Sequence, residues 1–150
     1  MKKEDDYRKF IILTWEIEAL YHAIALEFGL TDSAMNILYL ISFENGSAML
    51  GDIVKYTGLQ KQTINSSMRI LEKKGYVRLE KVNGKMKCVH LTDEGSALSG
   101  RTVRKLMEWE NSTMSFFSEK EVGSFISLLE KYRTEMENCY LRYILEKKNR

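Results

Sequence analysis

The amino-acid sequence predicts a mostly α-helical protein with one small β-hairpin, and three observations predict this fold class. Apolar residues recur three or four positions apart over long stretches near both ends of the chain, which is the spacing of amphipathic helices. The 150 residues include no proline, so no proline ring interrupts the helical hydrogen bonds. Only the stretch YVRLEKVNGKMKCVHL combines two β-prone runs with a central Asn-Gly turn.

The composition, with 44% apolar and 29% charged residues, is that of a soluble globular protein. No apolar run approaches the roughly 18 residues of a membrane-spanning helix, and the N-terminal MKKEDDYRKF lacks the apolar stretch of a secretory signal. We therefore expect a cytoplasmic protein with no membrane partner. Because the two cysteines form no CxxC pair and only two histidines are present, we expect no metal site and no cofactor.

Three helices are predicted in the first third of the chain. The first covers about 7–28, and its apolar stripe comprises Phe10, Leu13, Ile17, Leu20, Ile24 and Phe28. Thr31 can cap the second helix. The inner side of that helix is expected to hold Met35, Leu38, Tyr39 and either Ser42 or Phe43. The third helix is short, runs over about 50–57 and ends at Gly58.

The next helix, predicted within GLQKQTINSSMRILEKKG, has two different faces. Its apolar stripe consists of Leu59, Ile64, Met68 and Leu71. The opposite face carries Gln60, Lys61, Gln62, Thr63, Asn65, Ser66 and Arg69. Thr, Asn and Ser are mediocre helix formers, whereas amide, hydroxyl and basic side chains match the base edges and phosphates of a DNA major groove. With the short helix and tight turn before it, this pattern predicts a helix-turn-helix whose second helix, 60–74, reads DNA.

A β-hairpin is predicted directly after this helix. With Asn83 and Gly84 as its two loop residues, Glu80 would face Lys87 as an opposite-charge pair. The tip would carry Lys81, Asn83, Gly84, Lys85 and Lys87, a basic wing that can enter or flank a minor groove. The alternative is an ordinary hairpin whose charged residues protect its edges.

The last third of the chain is predicted to form two long helices. Thr92 can cap the first, which should run without interruption to about residue 116. Ser118 and Glu121 form a capping box at the start of the second, which should continue to about residue 146.

The distribution of charge and apolar surface predicts how these parts work together. Residues 50–92 carry nine Lys or Arg against three Asp or Glu, as expected of a nucleic-acid footprint. One chain cannot easily bury three long apolar stripes, so we expect a homodimer with recognition helices one DNA turn, about 34 Å, apart. The predicted regions are an N-terminal dimerisation helix at 1–30, a winged helix-turn-helix DNA-binding region at 31–92 and C-terminal dimerisation helices at 93–150.

Two stretches carry a resemblance to a known family. One extends from Ile53 through LEKKG to Val77, and the other is VHLTDEG at residues 89–95. With this LEKKG and LTxxG signature, the chain resembles the MarR family of winged-helix transcriptional regulators. The resemblance implies a homodimer that binds pseudo-palindromic double-stranded promoter DNA, commonly as a repressor, and is released by a small-molecule effector or by cysteine oxidation. Family members usually carry an Asp and Arg pair at the wing tip, whereas this chain has Asn83-Gly84-Lys85, and a lysine cannot form the planar fork of arginine.

Other interpretations remain open from sequence. Candidates for a ligand pocket between the dimer helices and the DNA-binding region, with an ordinary core as the simpler interpretation, are Trp15, His22, Met35, Tyr39, Phe43 and Trp109. Cys88 and Cys139 are expected to be core residues, with redox sensing as the alternative. No phosphate loop, HExxH or Gly-x-Ser-x-Gly motif is present, so we expect no catalytic residues and no enzyme. A winged helix that binds a protein instead of DNA is a third hypothesis.

Overall fold

A computed structural model describes residues 2–148 of the chain. The helices are α1 (Lys2–Glu27), α2 (Asp32–Phe43), α3 (Leu50–Thr57), α4 (Lys61–Lys73), α5 (Asp93–Arg101), α6 (Val103–Met114) and α7 (Glu119–Lys148). The strands β1 (Ser47–Met49), β2 (Val77–Asn83) and β3 (Met86–Leu91) form one antiparallel sheet in the order β1, β3, β2. The predicted fold class, mostly helical with a small hairpin, is confirmed.

The described residues form two compact units, one ending at Leu106 and the other beginning at Met107. The first contains the helix-turn-helix and the sheet, and the second contains α7. The functional division predicted at residues 30 and 92 stays a prediction. Within residues 2–148, no single helix has the length and apolar character to cross a membrane; α1 from Glu4 and α2, bent by 87° to each other, meet those criteria only as a pair.

The core of the first unit is built around α2, which contacts α1, α3, α4, α5 and the sheet. Its fully buried large side chains are Ile37, Leu38, Ile41, Ile53, Ile64, Leu71, Val89 and Val103. Of the two alternatives at the end of α2, Ser42 is the buried residue and Phe43 is 65% exposed. Three residues of the stripe predicted for α4 are confirmed, since Ile64, Met68 and Leu71 are at most 3% exposed. The fourth, Leu59, precedes the helix and packs partly buried against the core.

Three helices begin at the predicted capping residues. The Thr31 hydroxyl accepts a hydrogen bond from the Ala34 amide at 3.2 Å, and the Thr92 hydroxyl accepts one from the Gly95 amide at 3.0 Å. In the capping box before α7, the Glu121 amide donates to the Ser118 hydroxyl at 3.3 Å. The Ser118 amide donates in return to the Glu121 carboxylate at 2.8 Å. That backbone hydrogen bond, followed by one from the Ser118 hydroxyl, holds the pKa of Glu121 below its ordinary value.

The prediction of one uninterrupted helix to about residue 116 is wrong, because α5 ends at Arg101 and α6 begins at Val103. Thr102, between them, has φ −127° and ψ −96°. Its hydroxyl donates to the Leu98 carbonyl at 2.7 Å, while its amide bonds only the nearer Ser99 carbonyl at 3.3 Å. The side chain thus replaces the amide as the partner of the Leu98 carbonyl, a competition for which threonine is well known.

The predicted two-residue loop at Asn83 and Gly84 is also wrong. Asn83 pairs with Met86, so the loop consists of Gly84 and Lys85. Gly84 has φ 52°, the positive value that the first loop position of a type II′ turn requires and that glycine adopts without steric cost. Val82 is the extra residue in β2 that absorbs the shift of register as a β-bulge.

The sheet also has a strand that the sequence did not predict. β1 pairs antiparallel with β3, with Ala48 opposite Val89, and both residues are buried in the core. Three residues are too few to show the alternation by which strands are recognised.

Candidate nucleic-acid interface

Helix α4, which the sequence predicts to read DNA, presents its polar face to solvent. Gln60 is the N-cap residue, and the side chains from Lys61 to Arg69 on that face are all exposed. The N-cap residue makes no side-chain hydrogen bond to the first turn, so first-turn amides remain available to an anion. The two faces of α4 are therefore separated as predicted, one in the core and one available to a partner.

Two adjacent serines on α4 have different roles. The Ser66 hydroxyl donates to the Gln62 carbonyl at 3.0 Å, so only its acceptor capacity remains for a partner. Ser67, which was not among the predicted site residues, is buried and lies 2.7 Å from the Ser33 hydroxyl on α2. Because Ser67 lies three residues after Ile64, the sequence could have predicted it on the inner side of the helix.

Residues of the LEKKG and LTxxG signature connect the end of α4 to the start of α5 through hydrogen bonds and close packing. The Thr92 hydroxyl donates to the Gly75 carbonyl, and the Thr92 amide donates to the Tyr76 carbonyl at 3.1 Å. Gly95 is buried against the same turn, where an added Cβ would lie 1.8 Å from the Tyr76 carbonyl oxygen. The signature thus fixes where α4 ends relative to α5.

The charges of the wing are arranged differently from the prediction. Lys87 faces Lys81, and the expected Glu80 and Lys87 pair is wrong because Glu80 faces Cys88. The Arg78 guanidinium donates to the Glu80 carboxylate at 3.2 Å. On the neighbouring strand, His90 Nε2 lies 3.0 Å from the same carboxylate, at ion-pair distance but without the alignment of a hydrogen bond.

A surface groove of about 550 Å³ lies between α3, α4 and the wing tip. Its lining residues are Met49, Leu50, Gly51, Asp52, Val54, Lys61, Asn65, Lys85, Met86 and Lys87. The groove brings together two predicted contacts from the first turns of α4 with two from the wing. Asp52 and Met86 were not predicted, because no local pattern indicates that α3 and the wing tip meet. Of the other predicted wing residues, Lys81, Asn83 and Gly84 are exposed in the same hairpin but do not line the groove.

The candidate ligand-pocket residues occupy varied positions. Met35 is 3% exposed and lies in the core, as the simpler interpretation of these residues expects. Tyr39 packs against that core. Trp15, Phe43 and Trp109 are exposed. His22 Nδ1 lies 2.9 Å from the Asp32 carboxylate at the start of α2. A ligand pocket stays a prediction.

The two cysteines differ in their surroundings. Cys88 is half-buried on β3, whereas the prediction that Cys139 is a core residue is wrong for the single chain, where it is exposed on α7. The Arg142 guanidinium lies 3.3 Å from the Cys139 sulfur. Across residues 2–148, no group of three or more His, Cys, Asp or Glu side chains is arranged to hold a metal ion.

The architecture agrees with the comparison to known proteins. A family model described as the MarR family matches residues 28–84, from the end of α1 to the wing loop. Over these residues, the chain is similar to the MarR family.

Individual relatives extend this comparison. The HTH-type transcriptional regulator PecS of Dickeya dadantii is 33% identical over 88 residues, which are 57% of this chain and 53% of PecS. The match therefore spans about half the length of that relative. The structure of NMB1585, a MarR family regulator from Neisseria meningitidis, is similar over 92% of this chain and 96% of the NMB1585 chain, with 19% sequence identity and a TM-score of 0.77. The S. aureus MepR–DNA complex covers 86% and 96%, with 22% identity and a TM-score of 0.65. At these identities the two structures show the shared fold.

Proposed function

We propose that this chain is a MarR-family, sequence-specific DNA-binding regulator of transcription that acts in the cytoplasm as a repressor. The observation that carries the proposal is the outward face of α4, where exposed amide, hydroxyl and basic side chains cover a helix anchored by its other face. Such groups complement base edges and phosphates. MepR, which shares the fold, has been crystallised with DNA. Repression, in preference to activation, rests on the family resemblance.

Individual roles follow from side-chain chemistry. Gln62 and Asn65 can each form bidentate hydrogen bonds with an adenine edge, whereas Arg69 can bind a guanine edge or a phosphate. Thr63 contributes a hydroxyl suited to a phosphate, and Ser66 only an acceptor because its proton is directed to its own helix. The basic charge of residues 50–92 supplies a sequence-independent attraction that makes affinity depend on salt.

The regulator is proposed to act as a homodimer on a pseudo-palindromic site. None of the described residues of α7 is buried in the single chain. Its exposed apolar and aromatic side chains include Phe125, Leu128, Leu129, Met136, Tyr140 and Tyr143. A surface of this kind marks an association site, and a second copy related by a two-fold axis offers a matching one. The exposed apolar residues of α1, such as Leu13 and Leu20, supply further area of the same character.

Sedimentation velocity tests the dimer. The wild-type chain is expected to sediment as a dimer, and Leu129→Asp, which places a charge on the apolar face of α7, is expected to shift it to a monomer. Ser127→Asp adds the same charge beside that face at an already polar position and is expected to leave the dimer intact. A monomeric wild-type protein would contradict this part of the proposal.

Selection from a random duplex pool tests DNA recognition. The purified protein is expected to enrich an inverted repeat with half-sites about 10 base pairs apart. Gln62→Ala and Arg69→Ala should each weaken or relax recognition by roughly 1–3 kcal/mol, about 5- to 150-fold, at two salt concentrations. Asn36→Ala removes an exposed amide from α2 and serves as the matched control. Absence of enrichment, or equal effects of Gln62→Ala and Asn36→Ala, would refute readout by α4.

An effector that releases the DNA is the further part of this proposal. The two tryptophans of the chain, Trp15 and Trp109, are both among the candidate pocket residues, so tryptophan fluorescence reports on binding there. A small molecule that lowers operator affinity is expected to change this fluorescence, and Trp15→Phe is expected to reduce the change. A releasing molecule that leaves the fluorescence of both tryptophans unaltered would argue against this pocket.

Cysteine-based redox sensing is a second candidate function, favoured by one observation. Cys139 is exposed on α7, the helix proposed to dimerise, with the Arg142 guanidinium 3.3 Å from its sulfur. Oxidation there would add polar bulk to an apolar face. Operator affinity is therefore measured before and after treatment with hydrogen peroxide. A loss of affinity that Cys139→Ser prevents supports redox sensing, and equal behaviour of both proteins excludes Cys139 as the sensor.

A winged helix that binds only a protein would behave differently in salt. A largely apolar protein interface lacks the steep salt dependence that counterion release gives to DNA binding. A salt-dependent affinity for duplex DNA therefore separates the two hypotheses.

A further inference from the structure

The wing has a cluster of lysines that the hairpin itself does not neutralise. Lys81 and Lys87 lie directly opposite each other on β2 and β3, a like-charge arrangement that destabilises a strand pair. The one acidic residue in 77–91, Glu80, interacts instead with Arg78 and His90. An anionic partner at the tip would offset the repulsion that the strand pairing leaves.

The groove beside the wing shows where such a partner fits. Lys85 and Lys87 from the wing line one side of the groove, and Lys61 and Asn65, one helical turn apart on α4, line another. Asp52 is the one acidic residue among the lining residues, on the α3 side. The groove thus brings together three lysines from two elements that the DNA-binding proposal treats separately.

We propose that this groove holds one sugar–phosphate strand of the DNA duplex, so that the wing clamps the backbone together with α4 instead of reading bases in the minor groove. The inference rests on the proposed DNA-binding function and specifies what the wing recognises. A lysine ammonium is a compact point charge that suits a phosphate, whereas bidentate recognition needs the planar guanidinium that this wing tip lacks. Contacts to phosphates position a protein on DNA without carrying sequence information.

Asp52 lines the same groove, so its substitution should change DNA affinity in the direction opposite to substitution of the lysines. A carboxylate lining a phosphate-binding groove repels the strand and lowers affinity. Removing its charge should therefore strengthen binding of every duplex, whereas removing the lysines should weaken it for every duplex. A minor-groove reader would instead change the preference between sequences.

The test compares three variants on two duplexes, each variant made in the whole 150-residue chain. The duplexes are the one enriched from the random pool and a scrambled duplex of the same composition. Lys85→Ala/Lys87→Ala is compared with Lys147→Ala/Lys148→Ala, which removes the same charge from the last turn of α7. The third variant is Asp52→Asn. A version of the enriched duplex with 2,6-diaminopurine for adenine in the flanking base pairs adds an amino group to the minor groove only.

The clamp predicts parallel changes on both duplexes. Lys85→Ala/Lys87→Ala should reduce the salt slope of log affinity by about 1 for each lysine lost and weaken both duplexes by a similar factor, about tenfold or more. Lys147→Ala/Lys148→Ala should change affinity by less than about threefold, and Asp52→Asn should increase it by a few-fold, as expected for one charge contact near a surface. Diaminopurine in the flanks should leave affinity unchanged within about twofold, because no base contact is proposed there.

Two kinds of result would overturn the clamp. If the wing variant lost affinity for the enriched duplex alone, or if diaminopurine weakened wild-type binding strongly, the wing would be reading the minor groove while the proposed DNA-binding function stood. If the wild-type protein bound neither duplex, the proposed function and the clamp would fail together.

Discussion

Replacing Gly95 with alanine tests the close contact between α5 and the turn that ends α4. A Cβ at this position would lie 1.8 Å from the Tyr76 carbonyl oxygen and 2.8 Å from its carbonyl carbon, whereas real Cβ atoms stay beyond 3.0 Å. Both contacted atoms belong to the backbone, so no side chain can rotate away. The start of α5 must therefore move away from the turn by more than an ångström.

The free energy of that displacement follows from the contacts it breaks. The hydrogen bonds from Thr92 to the Gly75 and Tyr76 carbonyls lie at the point of the clash and would each lose about 0.5–1.5 kcal/mol. Strain from overpacking adds roughly 1–3 kcal/mol. Alanine recovers about 0.5–1 kcal/mol because it restricts the unfolded chain and favours helix. We expect Gly95→Ala to lower the free energy of unfolding by about 2–4 kcal/mol.

Urea unfolding at a fixed protein concentration measures this difference, since dissociation of an oligomer would otherwise enter the result. Gly100→Ala is the matched control, because it lies in the same helix and an added Cβ meets nothing within 4 Å. It should be neutral or stabilise the protein by about 0.5–1 kcal/mol. If Gly95→Ala were as stable as Gly100→Ala, the close approach would not exist as described.

Three other predictions concern polar side chains, two of them hydrogen-bonded and one buried without a partner within residues 2–148. Ser99→Ala should raise the free energy of unfolding by about 1 kcal/mol in urea titrations, because Ser99 is fully buried and its hydroxyl has no partner within residues 2–148. Ser67→Ala should lower it by about 1 kcal/mol, because it removes the part-buried 2.7 Å hydrogen bond between Ser33 and Ser67; effects of equal sign in the two variants would contradict this assignment. Glu121 has a lowered pKa in the folded chain, so its stabilisation is present above its ordinary pKa of about 4.5 and is lost as pH falls through the lower folded value. The melting temperature of the wild type should thus fall more steeply below pH 5 than that of Glu121→Gln, and parallel curves would refute the prediction.

The capping residues and the polar face of α4 could be predicted from the sequence because both are local properties. Thr31, Thr92 and Ser118 lie within three residues of the amides they bond, so spacing alone identifies them. The outward face of α4 follows from the period of its buried stripe. The same local reasoning failed at Thr102. Its amide and its hydroxyl can both donate to the Leu98 carbonyl, and only the surrounding packing selects the hydroxyl.

The register of the wing could not be predicted from the sequence for a different reason. An Asn-Gly pair indicates a turn, but the sequence does not say which residues the loop contains, and a shift of one changes every pairing along the strands. The structure selects the register in which Gly84 opens the loop and Lys81 faces Lys87. Asp52 and Met86 could not be assigned to the interface for a related reason, since they meet the other groove residues only after distant segments pack.

By itself, the sequence determined the helices apart from the break at Thr102, the three capping residues, the amide-rich face of α4 and the concentration of basic charge in residues 50–92. These depend on side chains within one or two helical turns of each other. Tertiary structure alone decided the third strand, the register of the wing, the groove shared by Lys61 and Lys85, and the contact that excludes a Cβ at Gly95. Each of these depends on the distance between segments far apart in the chain, which is set when apolar faces are buried together and backbone atoms meet at van der Waals contact.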